Sequence, residues 1–257
     1  MSESVRAVER ALAILLCFSQ NTPELTLTQI ADRVGLNKST VHRLLGTLAQ
    51  NRFIQRDPAT GAYRPGTHLM QFAYLIVEQN NLRRYAAPFL HRLREQYRET
   101  VDLAILDRAE VVYLDVLESP QRVKLAAAIG QRLPAFCTAT GKSLLAYMDD
   151  ETVQRVMDDG MPKHTDRTII SREAFLESLR AIQAKGFGIS EQEYEEGINA
   201  VAAPILDTNG YPIASIAVAG PAFRLSHSRM WEIGPTVSAT AKEIAMEINR
   251  VGAVQSR

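Results

Sequence analysis

LTLTQIADRVGLNKSTVHRLLGTLAQNRFI, residues 25–54, decides how this chain folds. Thr26 followed three residues later by Gln29 is a capping-box start for a helix. Leu27, Ile30, Ala31 and Val34 then recur on one helical face. Gly35 is a helix stop. Asn37 caps a second helix, predicted over Lys38 to Asn51, with Val41, Leu44, Leu45 and Leu48 facing inward. Two short helices around a tight glycine-containing turn are a helix-turn-helix.

The flanks complete a small domain. Upstream, Val8, Ala11, Leu12, Leu15 and Leu16 predict a helix from Val5 to Phe18, ended by a polar stretch with Pro23. Downstream, Phe53–Arg56 and Ala62–Arg64 read as short strands around the turn residues Asp57–Gly61. A hairpin after the second helix of the motif is a wing. Pro65-Gly66 closes this unit, so residues 1–66 form the expected winged helix-turn-helix domain. Thr67 to Asn80 reads as a linker helix with Leu69, Phe72, Leu75 and Ile76 on one face. A further helix, Arg83 to Arg98, opens the third part, residues 81–257.

That part mixes strands and helices. VDLAILD (101–107) and VVYLDVL (111–117) flank a turn at Arg108-Ala109-Glu110. INAVAAPIL (198–206) and PIASIAVAG (212–220) flank Asp207-Thr208-Asn209-Gly210, and Asn-Gly is a hairpin signal. Helical stretches are expected near Lys142–Met148, Arg172–Lys185 and Thr236–Arg250. Hairpins with flanking helices predict an α+β domain on an antiparallel sheet.

A helix entering the major groove must present short polar and basic side chains at its N-terminal end. Lys38, Ser39, Thr40, His42 and Arg43 face outward there. Arg43 suits a bidentate pair with guanine, and Ser39 and Thr40 suit phosphates or base edges. Thr28 and Gln29, at the start of the preceding helix, and Arg56 and Arg64 on the wing complete the candidate DNA contacts. Any one of these residues is equally at home on a solvated face. Cap, turn, polar front, apolar back and wing in this order are not. Net charge over the chain is zero, yet residues 1–66 hold eight Lys and Arg against five Asp and Glu, a net +3, leaving −3 for the rest.

With 46% apolar and 23% charged residues the chain is globular. No apolar run reaches the roughly 20 residues of a membrane span. MSESVRAVERALAILL lacks the small-residue end of a signal peptide, so a cytoplasmic location is expected. Cys17 and Cys137 make neither a disulfide framework nor a zinc motif. His68, His91, His164 and His227 show no ligand spacing, so no metal is expected, and no cofactor. ATGKS (139–143) lacks the first P-loop glycine, because position 136 is Phe136, so nucleotide binding there is not expected and Lys142 reads as solvated or structural. The acidic run Glu191–Glu196 reads as solvated surface.

Residues 25–54 resemble the winged helix of the IclR family of bacterial regulators. FCTATGKSLLA (136–146) resembles that family's effector-domain motif, and EEGINAVAAPILD (195–207) and ASIAVAGP (214–221) resemble its two C-terminal strand motifs. The resemblance implies a GAF-like effector domain, an operator-binding transcription regulator without enzymatic activity, and a homodimer that can pair again into a dimer of dimers. It also implies a small-molecule effector, an organic acid. Carried over by position, the effector pocket falls on Leu125, Leu133, Ala139, Thr140, Ser190, Ile198, Ala200, Ala217 and Ala219. Relatives that bind small keto acids are expected to carry Asp in place of Ser190, Cys in place of Ala200, and serines in place of Ala217 and Ala219. These departures predict a more apolar site and an effector larger or more hydrophobic than glyoxylate or pyruvate. The same alanines also suit plain sheet packing. The free N–H groups at the helix start after Thr138 are expected to attract a carboxylate. An enzyme and a ligand-free architectural DNA binder are the competing classes. Few convergent titratable groups and the pocket motif, respectively, argue against them.

Overall fold

The computed structural model describes residues 5–19, 22–79 and 81–255. The chain divides into two compact units, Met1–Asn80 and Asn81–Arg257.

The first unit holds α1 (Arg6–Leu15), α2 (Leu27–Val34), α3 (Lys38–Gln50), β1 (Ile54–Arg56), β2 (Tyr63–Pro65) and α4 (His68–Gln79). The capping box at Thr26 and Gln29 forms as predicted. Gly35 ends α2 at φ +64°, a conformation that glycine adopts without strain. Asn37 then caps α3 by accepting the Thr40 N–H at 2.8 Å. Ile14, Leu25, Ile30, Ala31, Val41, Leu45, Ile54 and Tyr63 make the core. β1 and β2 pair antiparallel as the wing.

α1 departs from its expected orientation. It ends at Leu15 rather than Phe18, and its inward residue is Ile14. Val5, Val8, Leu12 and Leu16, one stripe at spacings of three and four, are 53–83% exposed. The apolar periodicity is real, but most of it faces away from this unit's core. α4 begins firmly: Phe53, His68 and Phe72 stack with centroids 5.1 and 5.8 Å apart, and the His68 ring lies 3.1 Å from the Asn51 carbonyl. Leu75 and Ile76 lie outside the residues whose side chains are described.

The second unit holds α5 (Asn81–Tyr97), β3 (Thr100–Asp107), β4 (Glu110–Leu117), β5 (Arg132–Pro134), α6 (Ala139–Leu145), α7 (Asp150–Asp158), α8 (Arg172–Lys185), β6 (Gly188–Glu191), β7 (Ile198–Leu206), β8 (Pro212–Pro221) and α9 (His227–Gln255). Six antiparallel strands run in the order β5-β4-β3-β8-β7-β6. Both predicted hairpins are present. At the second, the Asp207 N–H donates to the Tyr211 carbonyl at 2.9 Å, and the Asp207 carboxylate accepts the Asn209 and Tyr211 N–H groups.

Strand alternation sends side chains to two faces. Val101, Leu103, Val201, Ile205, Ile216 and Val218 pack with α5 and α9 into one core. Ala104, Val111, Tyr113 and Leu133 face the other way and pack with the segment 135–137, α6, α7 and α8. α9 starts nine residues before the predicted Thr236. Gly234-Pro235 looks like a breaker, but a Cβ at Gly234 would lie 2.3 Å from the Phe187 ring. That glycine serves close packing, and the helix continues through Pro235. No described helix is long and apolar enough to cross a membrane.

Candidate DNA interface and effector cavity

The front of α3 is a solvated surface built on its cap. Asn37 Oδ1 accepts both the Thr40 N–H and the Ser39 hydroxyl, at 2.8 and 2.9 Å. Ser39 is thereby pinned at the helix start. Lys38, Ser39, His42 and Arg43 are exposed and Thr40 is half-buried. Lys38, His42 and Arg43 make no ion pair with any described residue. Their donors are free for another molecule.

The remaining candidates are partly committed. Gln29 Oε1 accepts from the Thr26 N–H at 2.8 Å and hydroxyl at 3.0 Å, so its carbonyl is used by the cap and only its amide NH2 is left. Thr28 beside it is exposed. On the wing, the Arg56 Nε donates to the Gly61 carbonyl at 3.4 Å and its guanidinium lies over Tyr63. Arg64 lies 3.7 Å from Glu24, with both side chains nearly half exposed. Arg33 ties the α1–α2 connection by donating to the Cys17 carbonyl and Thr22. Lys38 and Arg43 on α3 are thus exposed without an ion pair to any described residue, as are Arg6 and Arg52 elsewhere in this unit.

In the second unit a cavity of about 70 Å³ lies between the sheet and α6. Eight of the nine expected pocket residues line it: Leu125, Leu133, Ala139, Thr140, Ser190, Ile198, Ala200 and Ala219. Ala217 does not. It is 1% exposed and packs with Ala139, Ala200 and Ala202, where α6 sits directly on the strands. The packing explanation is the one that holds for this alanine.

The wall is also more polar than its alanines suggest. Asp102 and Tyr113, from two different strands, point into it, with Gln131, Thr138, Tyr194 and Glu195. No Lys, Arg or His lines it. Asp102 is 1% exposed, and Thr140 Oγ1 donates to it at 3.4 Å. Burial pushes its carboxyl up to about 7, against a smaller opposing pull from Thr140. Burial also raises the Tyr113 phenol, helped by the nearby Asp102 charge. The helix start expected to attract an anion is capped, because Thr138 Oγ1 accepts the Gly141 N–H at 3.1 Å. α6 spans only seven residues.

Of the two roles open to Lys142, solvated or structural, it has the structural one: it is 3% exposed and ion-paired with Glu193. One expectation needs correction: the run Glu191–Glu196 is not plain surface, since Glu193 is buried and Tyr194 and Glu195 turn to the cavity. Thr165 and Thr168 hold this segment by donating to the Gln192 and Glu193 carbonyls at 2.6 and 2.7 Å. An acidic run reads as solvated unless a distant lysine is known to meet it. Close packing puts Lys142 there, because a Cβ at Gly141 would lie 2.2 Å from the Ala135 carbonyl oxygen. Cys137 beside the cavity is fully buried, which raises its thiol to about 12 and leaves it a packing residue.

Comparison with known proteins bears on both sites. Residues 7–58 match the IclR helix-turn-helix domain, and residues 74–246 match the C-terminal domain of bacterial transcriptional regulator IclR. The chain is 29% identical to the transcriptional repressor IclR of Escherichia coli over 94% of this chain and 89% of that one. It is also 29% identical to the acetate operon repressor of Salmonella typhimurium, over the same shares of each chain. An IclR transcriptional regulator from Alicyclobacillus acidocaldarius superimposes with a TM-score of 0.82 at 26% identity, covering 95% of this chain and 99% of that one.

Proposed function

The chain belongs to the IclR family of bacterial transcriptional regulators, with a helix-turn-helix domain and an effector-binding C-terminal domain, and we propose that it represses a catabolic operon until a small organic acid occupies the cavity beneath α6. The observation that carries the DNA half is the free, exposed set Lys38, His42 and Arg43 on a rigidly capped helix start. In this reading α3 lies in the major groove, Arg43 reads a guanine, Ser39 and Thr40 meet phosphates or base edges, and the wing arginines reach the flanking backbone. The free amide of Gln29 and the Thr28 hydroxyl contact phosphate at the start of α2. Two relatives named as repressors support the sign, and one of them is named for the acetate operon.

One helix-turn-helix offers too few contacts for tight specific binding, and dimers on half-sites a helical turn apart are the usual remedy. The stripe Val5, Val8, Leu12 and Leu16, with exposed Met70 and Phe72, is the surface we assign to pairing of two copies. In this reading each second unit is the effector-binding domain, and residues 67–80 link it to the head. The size of the cavity favours a small ligand: about 70 Å³ is half the roughly 150 Å³ in which an engineered apolar cavity holds benzene. The larger aromatic effector expected from the alanines would need the site to widen.

The test is footprinting of DNA upstream of the chain's own gene, at low salt, with and without a panel of organic acids. A protected pair of half-sites, released by one class of acid, is expected. No protection under any of these conditions contradicts the regulator reading. Leu12→Glu should leave each unit folded, turn the dimer into a monomer in sedimentation, and abolish the footprint.

A further inference from the structure

Asp102 lies on the cavity side of β3, where regular alternation places it on the same face as Ala104. The register shift beside it leaves Leu114 of β4 as the extra residue, next to the Tyr113 that also lines the cavity. Its one described hydrogen bond is the 3.4 Å contact from Thr140. An ionised carboxylate has about four acceptor positions, so most of its capacity is unspent inside the cavity.

The surrounding elements bring no cation to it. β4 contributes the Tyr113 phenol, β6 Ser190, β7 Ile198 and Ala200, β8 Ala219, and the segment before α6 the Cys137 thiol. α6 contributes Thr140 and, further along the helix, Lys142, whose ammonium is taken by Glu193. The segment after β6 contributes Tyr194 and Glu195. Gln131 spends its amide oxygen on the Ala128 N–H. A keto or carboxylate oxygen laid against Asp102 sets acceptor against acceptor. An O–H or N–H group there meets a buried acceptor with free lone pairs, and buried polar groups reject analogues that leave them unpaired.

Resting on the effector reading of this cavity, we infer that Asp102 sets the ligand class: organic acids that also carry a hydroxyl or ammonium group, in preference to keto acids of the same size. The donor lies against Asp102, and the ligand's own carboxylate is left to the Tyr113 and Tyr194 phenols, because the Thr138, Thr140 and Ser190 hydroxyls already donate to Pro134, Asp102 and Cys137. Burial holds the Asp102 carboxyl at about 7, so the preference is full at pH 8 and fades toward pH 6 as the acceptor takes up a proton.

The probes are matched pairs: lactate and pyruvate, 2-hydroxybutyrate and 2-oxobutyrate, mandelate and phenylglyoxylate, with alanine as the ammonium member. Binding to the full-length protein is read by ligand-observed NMR and titration calorimetry at pH 8 and pH 6. The hydroxy or amino member of at least one pair should bind tenfold or more tightly than its keto partner at pH 8, and the ratio should shrink at pH 6. Asp102→Asn keeps the side-chain shape and adds a donor, so it should bring the ratio near one or reverse it. A thermal melt confirms that this variant is folded. Keto acids that bind wild type as well as their partners, or a ratio that Asp102→Asn leaves unchanged, would overturn the inference and leave the cavity a ligand site. Failure of every probe to bind either protein overturns the inference and the effector reading together.

Discussion

The front of α3 and the cavity under α6 are opposite solutions to recognition. α3 presents exposed cations without partners, held by backbone caps and ready for a polyanion. The cavity presents a fully buried acid, Asp102, with a single hydroxyl donor and no cation on its wall. Exposed groups stay solvated in the free protein, so they affect binding and leave folding nearly untouched. Buried polar groups enter the folding balance whether or not a ligand is present. Substitutions at the two places should therefore fall into different classes.

The largest effect is expected beside the cavity. Lys142→Met leaves Glu193 buried without its partner and should destabilise the second unit by about 3–5 kcal/mol. Removing both charges, Lys142→Met with Glu193→Gln, should restore much of that loss. Urea unfolding of the single and double variants decides it. Equal losses in both would show that packing rather than charge is at stake.

Asp102→Asn should act in the other direction. The folded carboxyl titrates at about 7 and the unfolded one near its ordinary 3.8. The folded state therefore holds a proton more tightly, and ionised Asp102 penalises folding. That penalty is absent below pH 4, grows as pH rises toward 7, and is constant above. Each pH unit between the folded and unfolded titrations is worth about 1.4 kcal/mol, so the variant should gain roughly 2–4 kcal/mol at pH 8 and almost nothing at pH 4. Unfolding curves across this range measure it. A gain independent of pH would assign the effect to packing.

Gly141→Ala should cost about 1–3 kcal/mol, because its Cβ would meet the Ala135 backbone. Its melt should fall while the contacts made by α3 are unchanged. The smallest stability effect belongs to the exposed side: Thr26→Ala removes half of the capping box and should cost about 1 kcal/mol. Hydrogen exchange of the first turn of α2 should quicken, with the sheet unaffected.

How much of each site the sequence discloses follows from the same contrast. The interface on α3 is local. Thr26, Gln29, Gly35, Asn37 and the polar front lie close together in the chain, and each cap signal forms the bond its chemistry implies. The two long hairpins and α8 are equally local and legible. β5, β6 and α7 are not. The two strands are three and four residues long and are recruited by the sheet rather than by their own pattern.

The cavity is assembled from well-separated stretches. The positions inferred from resemblance find most of its floor, because β7, β8 and α6 carry recognisable motifs. They miss Asp102 and Tyr113, which alternate unobtrusively within ordinary strands. Only the register that sets Asp102 opposite Ala217 reveals an acid facing inward. The acidic run 191–196 misleads for the same reason, since Lys142 is 51 residues distant from Glu193.

Whether α3 reads a duplex decides the rest. Fluorescence anisotropy with a DNA fragment from upstream of the chain's own gene measures this, comparing wild type with Arg43→Ala over a range of salt. Wild type should bind in a salt-dependent, sequence-selective way. The variant should lose about 1–3 kcal/mol of binding, with relaxed selectivity and an unchanged melt. Equal affinity of the two proteins for that fragment, or equal affinity of wild type for a scrambled one, would contradict the placement of α3 in the groove.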